Sequence, residues 1–486
     1  MVEKSGVIIK KNVSKMKKLF SYLFLSLLVM GVASCSDEIA VENQTEQTTE
    51  HTLNVTGTIV ENAETRVALQ DKGTSITPTW EVGDKVFGFY GENKLTYSVT
   101  SIKDGVATFS LDEGTEPADG TTVHMIYAPT KSGSDLSADQ LAIDLSAQDG
   151  TLDGLKNHAV MCATATVNGT SLSLPFKNQV AIVGVNQFTG LKASTTYTSA
   201  TFTSAGPTAT VKVVDGVLKL VTDGTYGTIT ATGSFASDAS GNTTSTIYFA
   251  VPPTEAVTHT FALHAADDHR AGNLSPKAVT AGKYLYMTSK AMTETILFED
   301  FESTDENAFP TSSLYVAHNG TGQNFVITSE KKNGSKALQL QGANGWSANI
   351  VQKNDWTVDK SKTYVMECYM NQVNDVGNEN GGMGFAQRSG TSMFQTATVF
   401  WHSQYWNCKT YPYSKTYSCT NVTHKWYHLK IVCDFVSNQY DIYVDGKAIN
   451  TNVTMGSRTP SQFLLAAGNS GTNTVYFDDV IVYTKP

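Results

Sequence analysis

Residues 209–221 read ATVKVVDGVLKLV. Both halves alternate in character at a period of two, and Asp215-Gly216 stands directly between them. A two-residue Asp-Gly link tolerates positive φ at both positions, which suits the primed turns that match the twist of paired strands. The stretch is therefore expected to form a β-hairpin. The same pattern recurs upstream in VFGFY (86–90), GVATFSL (105–111), VHMIYA (123–128) and SLSLPF (171–176), and downstream in TIYFAVP (246–252) and TFALHA (260–265). Asp-Gly or Asn-Gly pairs separate many of these runs, ending at Gly105, Gly120, Gly150, Gly154, Gly169, Gly216 and Gly224. No segment sustains helical periodicity, so residues 51–290 read as all-β, with two small sandwiches meeting near residue 185.

Composition agrees. Charged residues make up 16% of the 486-residue chain, while Thr, Ser, Gly, Asn, Tyr and Val are abundant, as β-sheet joined by tight turns requires. The length suits two or three domains. A net charge of −10 with no concentrated basic face argues against nucleic acid as a partner.

The N-terminal region follows an export pattern. Leu19 to Cys35 read LFSYLFLSLLVMGVASC after Lys17 and Lys18, and Met16 offers a second start. The apolar run is too short to span a bilayer but fits the hydrophobic region of a signal peptide. Val32-Ala33-Ser34-Cys35 resembles the lipobox of bacterial lipoproteins, which implies cleavage before Cys35 and its lipidation. The alternative is an ordinary secretory signal near a cysteine. Ser36 to Glu50 holds five carboxylates, no Lys or Arg and little apolar surface, the composition of a flexible tether. Asp37-Glu38 also resembles the acidic export signal of Bacteroidetes surface lipoproteins, although soluble linkers are commonly acidic.

A wider resemblance follows from an ordered set of pieces. These are Thr65-Arg66, Trp80-Glu81-Val82-Gly83-Asp84-Lys85-Val86, the SLSLPFKNQVAIVGV run, Tyr248-Phe249-Ala250-Val251-Pro252-Pro253 and Ala281-Gly282-Lys283-Tyr284. Together they resemble the fimbrillin family of Bacteroidetes over about half the chain. The resemblance implies tandem transthyretin-like β-sandwiches, exported as lipoproteins and assembled with other fimbrillin subunits by strand exchange. It also implies proteolytic processing after an arginine, matched here by Arg66, which otherwise reads as a surface arginine in a turn. Strand exchange is β-augmentation, in which unpaired backbone groups accept a partner strand.

Near Glu294 the composition shifts, and five of the six tryptophans lie beyond residue 345. ILFEDFE (296–302), the WYHLKIVCDF…YDIYVDG hairpin and the closing VYFDDVIVY (475–483) resemble concanavalin A-like, laminin G-type jelly rolls over residues 294–486. Such a fold implies two stacked sheets, often with a sugar-binding face. With first and last strands adjacent, Glu299, Asp300 and Glu302 would approach Asp478 and Asp479. Related carbohydrate-binding modules place a structural Ca²⁺ there, a cation that takes six to eight oxygen ligands. The alternative is that these side chains point at water.

Trp401, Tyr405, Trp406 and Tyr411 lie in one aromatic-rich stretch with His402 and Gln404. Strand alternation counted straight through puts Trp401 with Tyr405 on one face, and His402, Gln404 and Trp406 on the other. Exposed rings here would make a platform for the apolar face of a sugar, with His402, Gln404, Asn407 and Arg388 beside it to bond hydroxyls. The rings suit a sheet core equally. Among the cysteines, Cys408 and Cys419 bracket a long loop that a disulfide would rigidify by about 2–3 kcal/mol. Cys368 and Cys433 would bridge if their strands face each other, or stay as two buried thiols. Cys162 is left over, and no pair has the spacing of a zinc site.

Motifs of catalysis are missing: no His-Glu-x-x-His, Gly-x-Ser-x-Gly, phosphate loop or Glu-x-Asp-x-x-Glu occurs. The expected organisation is a signal peptide with lipobox (1–35), an acidic linker (36–50), fimbrillin-like sandwiches at 51–185 and 186–293, and a lectin-type domain at 294–486. The expected role is that of a non-enzymatic, lipid-anchored outer-membrane protein at the cell surface, a pilus-associated adhesin binding glycans or glycoproteins. A stand-alone glycan-capture protein and a structural pilin are the alternatives.

Overall fold

The structure is a computed structural model that describes residues 53–60, 70–71, 76–77, 79–137, 139–310, 314–317, 324–342, 349–352, 356–375, 379–389, 392–411, 415–468 and 472–486. Cys35 and Arg66 lie outside the described residues. The chain is all-β, built of stacked sheets, and its only helical pieces among the described residues are two short 3₁₀ turns.

In the first body the sheets close at their edges into a seven-stranded barrel. Asn54–Ile59 completes the ring, parallel to Ser171–Asn178 and antiparallel to Val106–Glu113. Trp80 fills the middle, meeting Phe109, Tyr127 and Phe176 edge-on at centroid separations of 5.5, 5.5 and 5.1 Å, the geometry that the ring quadrupoles favour.

The hairpin of residues 209–221 forms as expected. Thr208–Val214 pairs with Val217–Thr222, and Asp215 and Gly216 take φ of 52° and 76°. Its apolar face does not join the second body's core. Val211, Leu218 and Leu220 pack on Phe87, Phe89 and Ile126 of the barrel wall.

The second body stacks a three-stranded sheet, Ile247–Val251 with Ala181–Val185 and Tyr284–Met287, on a larger one. The larger sheet contains Tyr226–Ala236, Thr196–Ala205, Thr254–His264 and His269–Val279 in that order. Phe202, Ile229, Phe249 and Phe261 form the core between the sheets.

The C-terminal body is a two-sheet jelly roll. One sheet has seven strands and includes Glu379–Ser389, Ser392–His402 and Tyr405–Lys409. The other is built on Trp426–Asp434, Thr363–Gln372 and Thr474–Thr484. Its first and last strands are neighbours, with Glu299 opposite Val480.

One strand joins the second body to the third. Thr293–Glu299 pairs with Thr474–Thr484 on one side and, through Ala271↔Thr293 and Arg270↔Glu294, with His269–Val279 on the other. The result is a single sheet of thirteen strands crossing both bodies. Strand twist accumulates, and open sheets beyond about ten strands curl or split. This one curls, so that outward faces of the two bodies turn toward each other.

Candidate functional site

The curled sheet encloses a cavity of about 370 Å³. One wall comes from the second body, where alternation decides what each side chain meets. Ala200, Phe202, Ile229, Phe261 and Leu263 point into the core, leaving Ser199, Thr201, Thr203, Thr228, Thr230 and Thr260 to line the cavity. The register sets Thr201 opposite Thr230 and Thr203 opposite Thr228. The wall is therefore a two-by-two array of threonines, with Thr203 Oγ1 and Thr228 Oγ1 3.1 Å apart.

The facing wall comes from the jelly roll. On Thr363–Gln372, Met366, Cys368 and Met370 fill the core, so Glu367 and Tyr369 project the other way into the cavity lining. His428 does the same on Trp426–Asp434, where Tyr427, Leu429 and Ile431 are core, and Lys430 on the same strand is buried against Glu367. Tyr369 OH and Thr228 Oγ1 lie 2.9 Å apart and tie the walls together.

At the deep end Glu367 is 2% exposed. Its oxygens accept from Thr260 Oγ1 at 2.8 and 2.9 Å and from Tyr483 OH at 2.7 Å. Lys430 Nζ and His428 Nε2 each lie 3.1 Å from it. Burial alone would raise this carboxyl, but the Lys430 charge, followed by His428 and Tyr483, holds it well below the usual carboxylate range. Lys430 is pulled down by burial and held up by Glu367. Buried ion pairs survive only when further hydrogen bonds complete them, as here. His428 stacks on Tyr226 at 4.6 Å, and its Nδ1 is buried without a partner.

The shallow end is acidic and aromatic. His264 and His269 face each other across the hairpin, Nδ1 to Nδ1 at 3.1 Å, and both lie on the Phe298 ring at 4.3 and 4.4 Å. Burial, then each other's proximity, pushes His264 down to about 3, and burial lowers His269. Burial therefore disfavours the charged form of both rings. Asp300, Glu302, Asn333 and Asp479 complete the rim. Asp479 sits at φ 48° and accepts a hydrogen bond from Asn333 Nδ2. Burial drives its carboxyl up, Asn333 holds it down, and Asp300 and Glu302 push it further up.

The carboxylates read as calcium ligands do not form one coordination shell. Asp478 Oδ2 accepts the backbone N–H groups of Lys332 and Asn333 at 2.9 and 3.0 Å, and Oδ1 that of Asp479 at 2.9 Å. Glu299 turns back to the Phe301 N–H at 2.9 Å. Of the five, Asp300, Glu302 and Asp479 line the cavity, while Glu299 and Asp478 do not. Among the described residues, no group of three or more His, Cys, Asp or Glu side chains is arranged to hold a metal. The donor set does not fit Ca²⁺, which takes six to eight oxygens.

The aromatic platform is corrected. Trp401 is 1% exposed and Trp406 fully buried, both in the jelly-roll core beside Tyr427. Ser403, at φ 53°, starts a tight turn that sets Trp401 opposite Trp406 in register. Counting alternation straight through that turn inverted the faces. Tyr405 is 44% exposed, Gln404 is exposed and His402 half-buried. Tyr411 packs on Phe394 at 5.0 Å. None of the six lines the cavity.

The disulfide expectations are corrected too. Cys162, Cys368, Cys408 and Cys433 are buried free thiols. Cys368 pairs in register with Leu429 and Cys433 with Tyr364, which separates the two cysteines by about 13 Å along the strands, well beyond bridging distance. Cys408 pairs with Thr416, three positions from residue 419 and so about 10 Å away. Its sulfur lies 2.7 Å from Asn450 Nδ2.

Sequence reasoning missed the threonine wall. The signal was present in YTSATFTSA (197–205), where Ser199, Thr201 and Thr203 alternate with Ala200 and Phe202. Asp268, just ahead of His269–Val279, is a buried anchor. Arg270 donates to it at 2.7 and 2.8 Å, and Tyr197 OH donates as well.

No family model and no curated protein sequence matches this chain. Solved structures similar to parts of it include a candidate cell adhesion protein from Bacteroides ovatus, 14% identical over 50% of this chain and 95% of that one, TM-score 0.36. They also include carbohydrate-binding module CBM66 from Bacillus subtilis, 16% identical over 36% of this chain and 99% of that one, TM-score 0.26. A third is the endo-β-1,4-glucuronan lyase of the fungus Trichoderma reesei, 13% identical over 39% of this chain and 96% of that one, TM-score 0.30.

Proposed function

We propose that the chain is an exported, surface-displayed glycan-binding adhesin whose sugar site is the cavity between the second body and the jelly roll. One observation carries this reading. A pocket of about 370 Å³ presents paired hydroxyls on one wall and a Tyr369–His428 aromatic wall opposite, with carboxylates at the rim. Hydroxyl-rich ligands with apolar ring faces need such a combination: many short polar contacts and a few flat apolar ones. Binding is favoured over cleavage because Glu367, the deepest carboxylate, is committed to Lys430 and Thr260 and has no proton to give. The signal-like stretch ending at Cys35 and the acidic tether support display at the outer surface through a lipid anchor.

The test is a glycan array probed with the whole chain and with Thr201→Trp, which fills the cavity, and Tyr405→Ala, which alters the outer face. Glycan binding lost in Thr201→Trp and kept in Tyr405→Ala supports the reading. Binding that survives Thr201→Trp places the sugar elsewhere.

A further inference from the structure

The chemistry of the cavity lining carries a selection among sugars. Four carboxylates line it, Asp300, Glu302, Glu367 and Asp479, and no Lys or Arg is among the described lining residues. The nearby lysines have partners of their own. Lys430 neutralises Glu367 at 3.1 Å. Lys336 Nζ donates to the Glu302 and Thr304 carbonyls at 2.9 and 2.6 Å. Lys332 lies over the Tyr369 ring, 5.4 Å from its centroid. His264 and His269 face each other there, Nδ1 to Nδ1 at 3.1 Å, and burial disfavours the charged form of both.

The three rim carboxylates differ in what they have left to offer. Glu302 is filled: Oε1 accepts the N–H groups of Ser335 and Lys336 at 2.7 and 2.8 Å, and Oε2 accepts Ser335 Oγ at 2.5 Å. Asp300 uses one oxygen on the Glu302 N–H at 3.1 Å, and Asp479 uses one on Asn333. Each of those two therefore keeps acceptor capacity on the other oxygen. A second feature points to a ligand independently: His428 lines the same cavity with a buried Nδ1 that has no protein partner, whereas buried polar atoms are normally hydrogen-bonded.

We infer that this cavity takes neutral and amine-bearing sugars and rejects acidic ones, with the ammonium of a hexosamine placed between Asp300 and Asp479 and the ring hydroxyls on the Thr201–Thr230 and Thr203–Thr228 rungs. This rests on the proposed sugar site. A uronate or sialate carboxylate entering the pocket meets Asp300 and Asp479, with no Lys or Arg among the described lining residues, and such like-charge juxtapositions are strongly unfavourable once desolvated. An ammonium gains charge-assisted hydrogen bonds from the same two aspartates.

The experiment is calorimetric titration of the whole chain with glucosamine, glucose and glucuronic acid oligomers matched in length and linkage. The amine series is expected to bind most tightly, and the uronate series roughly tenfold or more weaker than the neutral one. The amine preference should shrink with added salt and in Asp479→Asn and Asp300→Asn, whose melting curves report whether they fold. Uronate binding as tight as neutral sugar, with binding still lost in Thr201→Trp, overturns the charge selection while leaving the site in place. Absence of binding across all three series, and across the array, overturns the sugar site itself.

Discussion

Thr260 Oγ1 lies 2.8 and 2.9 Å from the two carboxylate oxygens of Glu367, a residue 107 positions further along the chain. The contact joins the second body to the jelly roll. Lys430 Nζ closes the triangle at 3.2 Å from the same hydroxyl. Because Glu367 and Lys430 are both almost completely buried, neither can lose its partner and be rescued by water. Glu367→Ala or Lys430→Ala is expected to destabilise the protein by about 3–5 kcal/mol. Thr260→Val, which leaves the ion pair in place, should cost about 1–3 kcal/mol. Urea unfolding measures both. The folded-state carboxyl of Glu367 is depressed, so its contribution is fully present above the unfolded Glu value of about 4.3 and is lost as pH falls below it. Wild type should lose stability through that acid window, and Glu367→Gln should lose less.

Asp479 has the opposite sign. Burial raises its carboxyl, with Asp300 and Glu302 adding to that against Asn333. A carboxyl raised on folding favours the protonated folded state. Stability should therefore decline as pH rises above the unfolded Asp value of about 3.9. Asp479→Asn should flatten that decline and be neutral to stabilising, on the order of 1–2 kcal/mol, at pH 8. Thermal melts of both proteins between pH 5 and 8 give the comparison.

The tryptophan correction has its own consequence. Trp401 and Trp406 meet edge-on at 5.5 Å inside the jelly roll. Trp401→Ala should destabilise the fold by about 3–5 kcal/mol, whereas Tyr405→Ala on the exposed neighbouring position should stay within about 0.5 kcal/mol. Denaturant midpoints distinguish a core role from a surface one.

Lipid anchoring is read from the segment ending at Cys35. An acyl chain on Cys35 would add about 0.8 kcal/mol per buried methylene, so more than one would be needed for stable anchoring. Cys35→Ser should abolish incorporation of radiolabelled palmitate and move the protein out of the membrane fraction. Equal labelling in the variant would contradict the anchor.

How much of this was written in the chain depends on distance. Asp215-Gly216 specified its hairpin because turn geometry and flanking alternation act over a few residues. Adjacency of the first and last jelly-roll strands also held, with Leu297 opposite Val482. What Thr201 and Thr228 face was not legible, because Glu367 and Tyr369 arrive from more than 130 residues away through a sheet that curls as a whole. The burial of Trp401 turned on one local detail, the turn at Ser403. Cys368 and Cys433 lie on adjacent strands as supposed, but four register positions apart, a spacing set by the lengths of the connections and not by any feature of the cysteines themselves.

The most direct measurement is a crystal structure of the whole chain soaked with the tightest-binding glycan from the array. A sugar ring lying between the Thr201–Thr230 rung and Asp479, with His428 Nδ1 in hydrogen-bond range, is the predicted result. A sugar bound instead on the outer face beside Tyr405 and Gln404, with the cavity between the two bodies holding only water, would contradict it.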